Sequence, residues 1–465
     1  MKYLPPILIL LIILTPLISE AQQRGTQQRG TTYESLLQRS DQPSSYISHI
    51  ILPESDGSAT VSVMFRLDYD LIPFLRVRPG SSGAPEEAEY FSPIQMGLEI
   101  FEGTHRASRR SSQQGRSVFR DSYQDTVYVN SFDETRSRLQ HVQGFITTDL
   151  EPGAYNYELQ LRRVQSTREQ SSTRRNINVP QYDTLANAGM ILLSDFEQNE
   201  DVKAGRFLNY GENVLYGSDY DLLVILPDNP EEEYYFSVHR MQSGTSDEAE
   251  SDYTFRDTIR AENTFRASDF EIQKSGSDIG FSMNESESGT RFGSISVPNS
   301  EFANARFQLQ IKNNDDSVIA RRVVNSRWLD MPVSLLNIDV AINMMRFIVS
   351  DNELREFRSG SSAEKERKFR EFWNQRDPTP ETEFNELMAE YYNRIDYAYR
   401  NYTTLQTSGY ESDRGRAYIL YGEPDNIERR LPTDQPTTEV WEYPNRTLVF
   451  EATTGFGDFR LVSEQ

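Results

Sequence analysis

The sequence predicts a multidomain protein of the β and α+β classes: two antiparallel β-sandwich modules, then a helical subdomain packed on a small antiparallel sheet. Apolar residues alternate with a period of two from residue 46 to about 182, and again from 189 to 328. After Trp328 the period changes to 3.6, and alternation returns near residue 440. A length of 465 residues agrees with about two to four domains. The predicted modules are therefore 46–182, 189–328 and 329–465.

The first 21 residues have the features of a secretory signal peptide. Lys2 supplies positive charge, residues 7–14 form an unbroken apolar run, and Ser19 and Ala21 place small residues before a cleavage site. A positively charged start, an apolar region and small residues at a cleavage site, in this order, are typical of a segment that directs export. We expect cleavage after Ala21, followed by a flexible leader over residues 22–45 that is rich in Gln, Arg, Thr and Ser. An uncleaved anchor is the alternative.

Alternation in the first β segment is clearest at residues 59–69 and 150–162. The first of these stretches is expected to place Val61, Val63, Phe65 and Leu67 on one face of a strand. The second, LEPGAYNYELQLR, has a Pro-Gly turn followed by alternating Tyr and Leu. This pattern resembles the late strands of immunoglobulin-like envelope modules, and the resemblance implies an immunoglobulin-like sandwich.

The second β segment repeats the pattern, with strands predicted to begin near Met190, Tyr220, Tyr234 and Ala305. Short echoes connect the two segments: Asp-Tyr-Asp-Leu occurs in both, and Phe-Arg-Asp-Ser in the first corresponds to Phe-Arg-Asp-Thr in the second. The separations between the echoes differ, so a tandem duplication and chance both remain open.

The C-terminal segment begins with helices. Residues 335–349 carry an apolar stripe, and Ser350 with Glu353 and Ser361 with Glu364 have the spacing of capping boxes. Thr379 is predicted to cap the next helix, with Pro380 in its first turn. Four strands are predicted after it, at residues 417–421, 440–443, 447–450 and 459–462. The apolar stripe of the helix that follows Pro380 contains Phe384, Leu387, Met388, Tyr391, Ile395, Ala398 and Tyr402.

Composition excludes several kinds of site and partner. Lys and Arg number 48 against 71 Asp and Glu, giving a net charge of −23, which argues against binding nucleic acid or an anionic membrane. The chain has no Cys and four His, and it lacks the motifs of dinucleotide, P-loop, zinc-protease and serine-hydrolase sites. We therefore expect no cofactor, no metal site and no catalytic residues, and no stable membrane insertion after signal cleavage. The oligomeric state stays open.

A longer pattern lies between about Phe369 and Val462, roughly a fifth of the chain. It contains FWNQRDPTP, then GYESDRGRAYILYGEPD, then EVWEYPN. In this order the elements resemble the GWxTD domain of bacterial envelope proteins. The naming motif differs, because Tyr410 stands where the family has Trp and Ser412 where it has Thr, while Gly409 and Asp413 agree. The resemblance implies β-rich segments ahead of this domain, as predicted here, and no established activity.

The motif is compatible with three roles. In a structural role, Gly409 permits a turn, Tyr410 fills a core slot, Ser412 and Asp413 accept backbone N–H groups, and Arg414 or Arg416 pairs with Asp413 or Asp377. In a recognition role, Arg414, Arg416 and Arg376 bind a carboxylate or phosphate group, with Tyr418 and Tyr421 nearby. In a catalytic role, Asp413 acts with Glu411 or Glu423. The candidate motif or pocket residues are Gly409, Tyr410, Ser412, Asp413, Arg414, Gly415, Arg416, Tyr418, Tyr421, Gly422, Pro424, Arg376 and Asp377.

These observations predict an exported, periplasmic or secreted protein that binds or scaffolds another protein or an envelope polymer without catalysis. Two alternatives remain. One is a carboxylate-dependent glycan hydrolase, which needs a pair of carboxyl groups at a defined separation. The other is a structural spacer without a ligand site. A surface lined by Tyr and Arg would favour binding.

Overall fold

The computed structural model describes residues 31–37, 45–54, 57–78, 83–105, 115–137, 140–162, 169–181, 189–199, 202–229, 232–241, 253–431, 436–453 and 457–465. The predicted signal peptide lies outside them. The chain divides into two compact units. The β unit consists of Asp41–Met331 and Arg370–Tyr391, and the motif unit of Met1–Ser40, Pro332–Phe369 and Tyr392–Gln465.

The first half of the β unit forms two antiparallel sheets. A three-stranded sheet has the order β1-β2-β6, and a six-stranded sheet has the path β3-β4-β7-β8, with β5 paired to β4 and β9 to β7. The strands are β1 (Ser45–Pro53), β2 (Ala59–Asp68), β3 (Leu75–Arg76), β4 (Tyr90–Glu102), β5 (Ser117–Val129), β6 (His141–Leu150), β7 (Gly153–Arg162), β8 (Glu169–Ser171) and β9 (Arg175–Val179).

The second half of the β unit contains a closed barrel of order β10-β11-β17-β16-β18-β13 and a five-stranded sheet of order β12-β20-β19-β14-β15. Only the short pairing of β12 with β20 is parallel among the described pairs of these strands. The strands are β10 (Met190–Gln198), β11 (Val202–Phe207), β12 (Asn213–Leu215), β13 (Tyr220–Ile225), β14 (Tyr234–Arg240), β15 (Tyr253–Ile259), β16 (Thr264–Ser275), β17 (Asp278–Glu285), β18 (Thr290–Val297), β19 (Arg306–Lys312) and β20 (Val318–Arg327).

Strand β2 is buried on both faces. Val61, Val63, Phe65 and Leu67 share one apolar cluster, as their alternation predicts. Met64 points to the opposite face, because successive strand side chains alternate, and lies in a second cluster that includes barrel residues. The two β segments, which the sequence presents as separate modules, therefore contribute to a common core on one side of β2. The second cluster contains Ile50, Leu52 and Met64 from the first segment and Ile191, Leu193, Phe207, Leu223, Ile225, Ala267, Ile279, Phe281, Met283 and Phe292 from the second.

The remaining elements confirm a small helical region beside an antiparallel sheet of order β21-β22-β23-β24. Residues of α4 and α5 are divided between the two units. The elements are α1 (Tyr33–Leu37), α2 (Ile338–Met344), α3 (Asp351–Arg358), α4 (Ser362–Asn374), α5 (Glu386–Tyr402), α6 (Asp413–Tyr421), β21 (Asn426–Arg430), β22 (Thr438–Tyr443), β23 (Arg446–Ala452) and β24 (Phe459–Glu464).

Helix starts follow the sequence at two positions and depart from it at a third. Ser350 and Glu353 form a reciprocal capping box at α3, and Ser361 caps α4 in the same way with Glu364. The predicted cap at Thr379 is wrong, because α5 begins only at Glu386, where the Asn385 side chain accepts the N–H of Met388 at 2.8 Å. Residues 379–382 form a turn, in which the N–H of Thr382 donates to the carbonyl of Thr379.

The predicted strand at residues 417–421 is wrong: these residues form the second half of α6. A five-residue apolar run is too short for its period to distinguish strand from helix. The decisive signal is Ser412, whose side chain caps the helix and fixes its start. A second departure concerns the leader, since α1 lies inside the predicted flexible residues 22–45 and its Tyr33 is buried.

Candidate functional site

The motif begins where the chain leaves α5. Gly409 starts a short 3-10 helix, Gly409–Glu411, and its N–H donates to Thr403 Oγ1 at 2.8 Å. A Cβ on Gly409 would lie 2.0 Å from the carbonyl oxygen of Ala398 in α5. The turn predicted here is present, and glycine is required because the backbone approaches α5 so closely.

Two further motif residues join the 3-10 helix to α6. Ser412 Oγ donates to the carbonyl of Gly409 at 2.7 Å and accepts the N–H of Gly415 at 3.0 Å. A Cβ on Gly415 would stand 1.8 Å from the same Gly409 oxygen. Ser412 therefore accepts a backbone N–H, as predicted, and Gly415 is present for close approach.

Asp413 connects α6 to the C-terminal strand. Its Oδ2 accepts the N–H of Leu461 in β24 at 2.8 Å, so the predicted role as a backbone acceptor is present. The carboxylates considered as its catalytic partners have other surroundings. Glu411 pairs with Arg346 at 3.0 Å, and Glu423 is exposed at the end of α6. These contacts favour the structural role of the motif.

Arg414 is held inside the unit. Its Nη1 lies 3.1 Å from Glu439 Oε2, and Nη2 donates to the carbonyl of Gly457 at 2.9 Å. The guanidinium also lies 4.2 Å from the ring centre of Phe459. Its ionic partner is Glu439 in β22 rather than Asp413 or Asp377, the partners predicted. Glu439 was missed because nothing in the sequence distinguishes it from the other strand glutamates.

Tyr410 fills a core slot, as predicted. Only 7% of it is exposed, and its ring centre lies 5.6 Å from that of Tyr33 and 6.0 Å from that of Tyr399. The hydroxyl donates to Glu34 Oε1 at 3.2 Å. Burial raises the pKa of Tyr410 above its usual value, so the phenol remains a neutral donor.

A buried carboxylate that was not singled out from the sequence lies nearby on α5. Asp396 is 2% exposed, and it accepts the hydroxyl of Tyr33 and the N–H of Val333, each at 2.8 Å. Arg400 lies 3.9 Å away. Burial raises the pKa of Asp396, and these donors oppose the increase. The sequence does contain a signal for the burial of Asp396, because this residue directly follows Ile395 within the segment that carries the apolar stripe of α5.

The other face of α6 is more open. Tyr418 stacks on Tyr397, with ring centres 4.1 Å apart and planes inclined by 12°. One helical turn on, Tyr421 lies beneath the guanidinium of Arg446, 4.0 Å from its ring centre. Tyr397 is 40% exposed. We call Tyr397, Tyr418, Tyr421 and Arg446 the tyrosine surface.

The remaining candidate residues divide between the units. Arg416 is exposed on α6, and Gly422 ends that helix with φ +81°, a backbone conformation that L side chains rarely adopt. Pro424 is buried just after it. Arg376 and Asp377 belong to the β unit, where Arg376 donates to the carbonyl of Phe372 at 2.8 Å and Asp377 accepts the N–H of Thr379 at 3.0 Å.

Over the described ranges, no group of three or more His, Asp or Glu residues has an arrangement that could hold a metal ion. Over the same ranges, no helix has both the length and the apolar character needed to span a membrane.

Comparison with known families identifies a match in the second half of the chain. The family model described as the GWxTD domain matches residues 307–458. It begins in β19, well before the Phe-Trp pair where the pattern first becomes recognisable in the sequence, and it includes the whole 409–424 motif. No curated protein matches the chain.

Proposed function

Given a chain that contains a GWxTD domain at residues 307–458, we propose that it is an exported, non-catalytic protein that binds or scaffolds a protein or an envelope polymer outside the cytoplasm. In this proposal the tyrosine surface of the motif unit is the contact area. The motif itself builds the domain that presents this surface.

The observation that carries the proposal is the stacked pair of Tyr397 and Tyr418 beside the pair of Tyr421 and Arg446. Tyr and Arg dominate the energetics of protein interfaces, because each offers a large apolar face together with a polar end. Both pairs hold their rings in fixed positions before any partner arrives, which reduces the entropy lost on binding. Tyr418 and Tyr421 are three residues apart in α6 and so lie on one face.

The contacts of the motif support a non-catalytic role. A general acid or base must reach the substrate with a free carboxyl oxygen. Asp413 instead accepts a backbone N–H from β24, and Arg414 is paired with Glu439 while packed on Phe459. These groups join the helices to the sheet.

We also propose that the two β segments are immunoglobulin-like sandwich modules, and the packing of their sheets supports this. In the first β segment, side chains of the three-stranded sheet and of the six-stranded sheet share one apolar cluster, which is the arrangement of a sandwich. In the second, Leu222 and Ile295 of the barrel share a cluster with Phe236 and Leu309 of the five-stranded sheet.

Affinity capture tests the proposal. The chain from Gln22 onward is immobilised and exposed to envelope extract, one half untreated and the other treated with protease so that polymers alone remain. Wild type is compared with the single variants Tyr397→Ala and Arg446→Ala. Leu405→Ala, which removes an 89% exposed side chain from the same unit, is the matched control. Thermal melts confirm that each variant is folded.

We expect wild type and Leu405→Ala to retain the same partner, and each tyrosine-surface variant to lose about ten-fold or more in affinity. Equal retention by all four chains would refute the tyrosine surface. Release of reducing sugar ends from the polymer half, abolished by Asp413→Asn, would establish the hydrolase alternative instead.

A further inference from the structure

Helix α1 contacts residues that are very distant in the sequence. It has five residues, of which Tyr33 is 1% and Leu36 is 7% exposed. A helix of this length has no stability of its own, because nucleation is unfavourable and few backbone bonds follow it. Its order in the motif unit must therefore come from the side chains that surround it.

Tyr33 occupies a site made by the motif and α5. Its hydroxyl donates to Asp396 Oδ1 at 2.8 Å. Its ring centre lies 4.7 Å from that of Tyr399 and 5.6 Å from that of Tyr410, the latter in an edge-to-face arrangement. The rings of Tyr399 and Tyr410 pack against the Tyr33 ring, and the Asp396 carboxylate accepts its hydroxyl, so both the apolar and the polar part of this phenol have partners.

The next residue makes a second set of contacts. Glu34 Oε1 accepts the hydroxyl of Tyr410 at 3.2 Å and that of Ser408 at 3.4 Å. These hydrogen bonds are longer than the bond from Tyr33 to Asp396, so they add direction more than strength. Together the two sets recognise a tyrosine followed directly by a glutamate.

From these contacts we propose that Asp396, Tyr399, Ser408 and Tyr410 form a binding site for a short Tyr-Glu helix, and that residues 33–36 of this chain are its displaceable intramolecular ligand. This site is separate from the tyrosine surface and does not depend on it. Signal cleavage after Ala21, as the sequence predicts, leaves the segment in the mature chain.

Displacement is feasible because few groups hold the segment. Two buried side chains and one strong hydrogen bond oppose the conformational entropy of ordering five residues, and the two quantities are of the same order. An empty site attracts a new tyrosine, because detachment removes one of the donors to the buried carboxylate of Asp396. Its other donors, the backbone N–H groups of Val333 and Ser334, stay in place.

The experiment measures binding of a fluorescent peptide with the sequence of residues 31–37, TTYESLL, to the full chain from Gln22. The chains are wild type and the variants Tyr33→Ala and Leu36→Ala. Each variant weakens the internal ligand by removing one of its two buried side chains. Tyr235→Ala removes a 44% exposed tyrosine from the β unit and is the matched control. We expect the peptide to bind Tyr33→Ala and Leu36→Ala about ten-fold more tightly than wild type, because the internal segment that competes with it for the site has been weakened.

Peptide variants and hydrogen exchange complete the test. A peptide with Ala at the Tyr33 position should not bind, and one with Phe there should bind more weakly than TTYESLL, since the hydroxyl donor is missing. In the wild-type chain, amides of residues 33–37 should exchange faster than those of residues 392–402 and become faster still with excess peptide. Equal binding of the Ala peptide, no binding to either variant, or exchange of both segments at one rate would overturn the proposal.

Discussion

The carbonyl oxygen of Gly409 occupies the space that a side chain on Gly415 would need: a Cβ there would stand 1.8 Å from this oxygen. Neither glycine has a positive φ. Gly415 is required because its backbone meets that of Gly409 without a side chain between them, and Gly409 is required because its own Cβ would lie 2.0 Å from the carbonyl oxygen of Ala398. Ser412 bridges Gly409 and Gly415 with one donated and one accepted hydrogen bond.

Gly415→Ala should destabilise the motif unit by about 1–3 kcal/mol or more, because backbone atoms rather than a flexible side chain must move. Gly97→Ala is the matched control, since its nearest neighbours would lie at 3.8 Å and its φ is not positive. Urea unfolding of the full chain, followed by hydrogen exchange at peptides of α6 and β24, measures both. Equal stability of Gly415→Ala and wild type would contradict the packing described for this pair of glycines.

Ser412→Ala should cost about 1 kcal/mol, because the N–H of Gly415 loses its acceptor at the start of α6. Ser412→Thr, which matches the family motif at this position, keeps the hydroxyl and should retain most of that stability. The same unfolding measurement compares the two variants. A similar loss in both would mean that the hydroxyl does not cap the helix.

Arg414→Ala should destabilise the unit by about 3 kcal/mol, because it leaves Glu439 largely buried without its closest cation. Arg429, 3.8 Å from the same carboxylate, keeps the loss at the lower end of the range for buried pairs. Arg416→Ala, two residues away on the exposed side of α6, should change stability by less than about 0.5 kcal/mol. Thermal melts of the two variants measure these losses of stability. A larger loss for Arg416→Ala than for Arg414→Ala would refute the assignment of Arg414 as the buried partner of Glu439.

Asp396 should give the motif unit a measurable pH dependence. Its folded pKa is raised above the usual 3.8, so at pH values between these two pKa values the folded state holds a proton that the unfolded state has lost. As pH rises from about 3.8 through the folded pKa, the free energy of unfolding of wild type should fall relative to Asp396→Asn, by at most about 1.4 kcal/mol per pH unit. The groups that face this carboxyl are the hydroxyl of Tyr33, the guanidinium of Arg400 and the backbone N–H groups of Val333 and Ser334.

Urea unfolding at several pH values measures this difference between the two chains. Asp425→Asn, at an exposed position after α6, is the control for removing one carboxylate from the surface. The prediction fails if the difference in the free energy of unfolding between wild type and Asp396→Asn stays constant as pH rises, or changes in favour of wild type. Either result would show that burial does not destabilise the ionised form of Asp396.

Local sequence signals predicted local structure well. The alternation at Val61 and Phe65 and the capping boxes at Ser350 and Ser361 are present as predicted. Each depends on neighbours within a few residues. The helix over residues 413–421 was missed because its signal was a cap outside the apolar run, and the partner of Arg414 because it lies on another strand.

The sequence by itself determined the strand-rich class, the helical region with its small sheet, and the GWxTD domain, because periodicity and ordered motifs are properties of neighbouring residues. Tertiary structure alone decided that β2 is buried on both faces, that Asp413 accepts the N–H of Leu461, and that Tyr33 lies against Asp396. These contacts join segments tens to hundreds of residues apart. Such pairings are selected by shape and burial in the folded core, which no local pattern records.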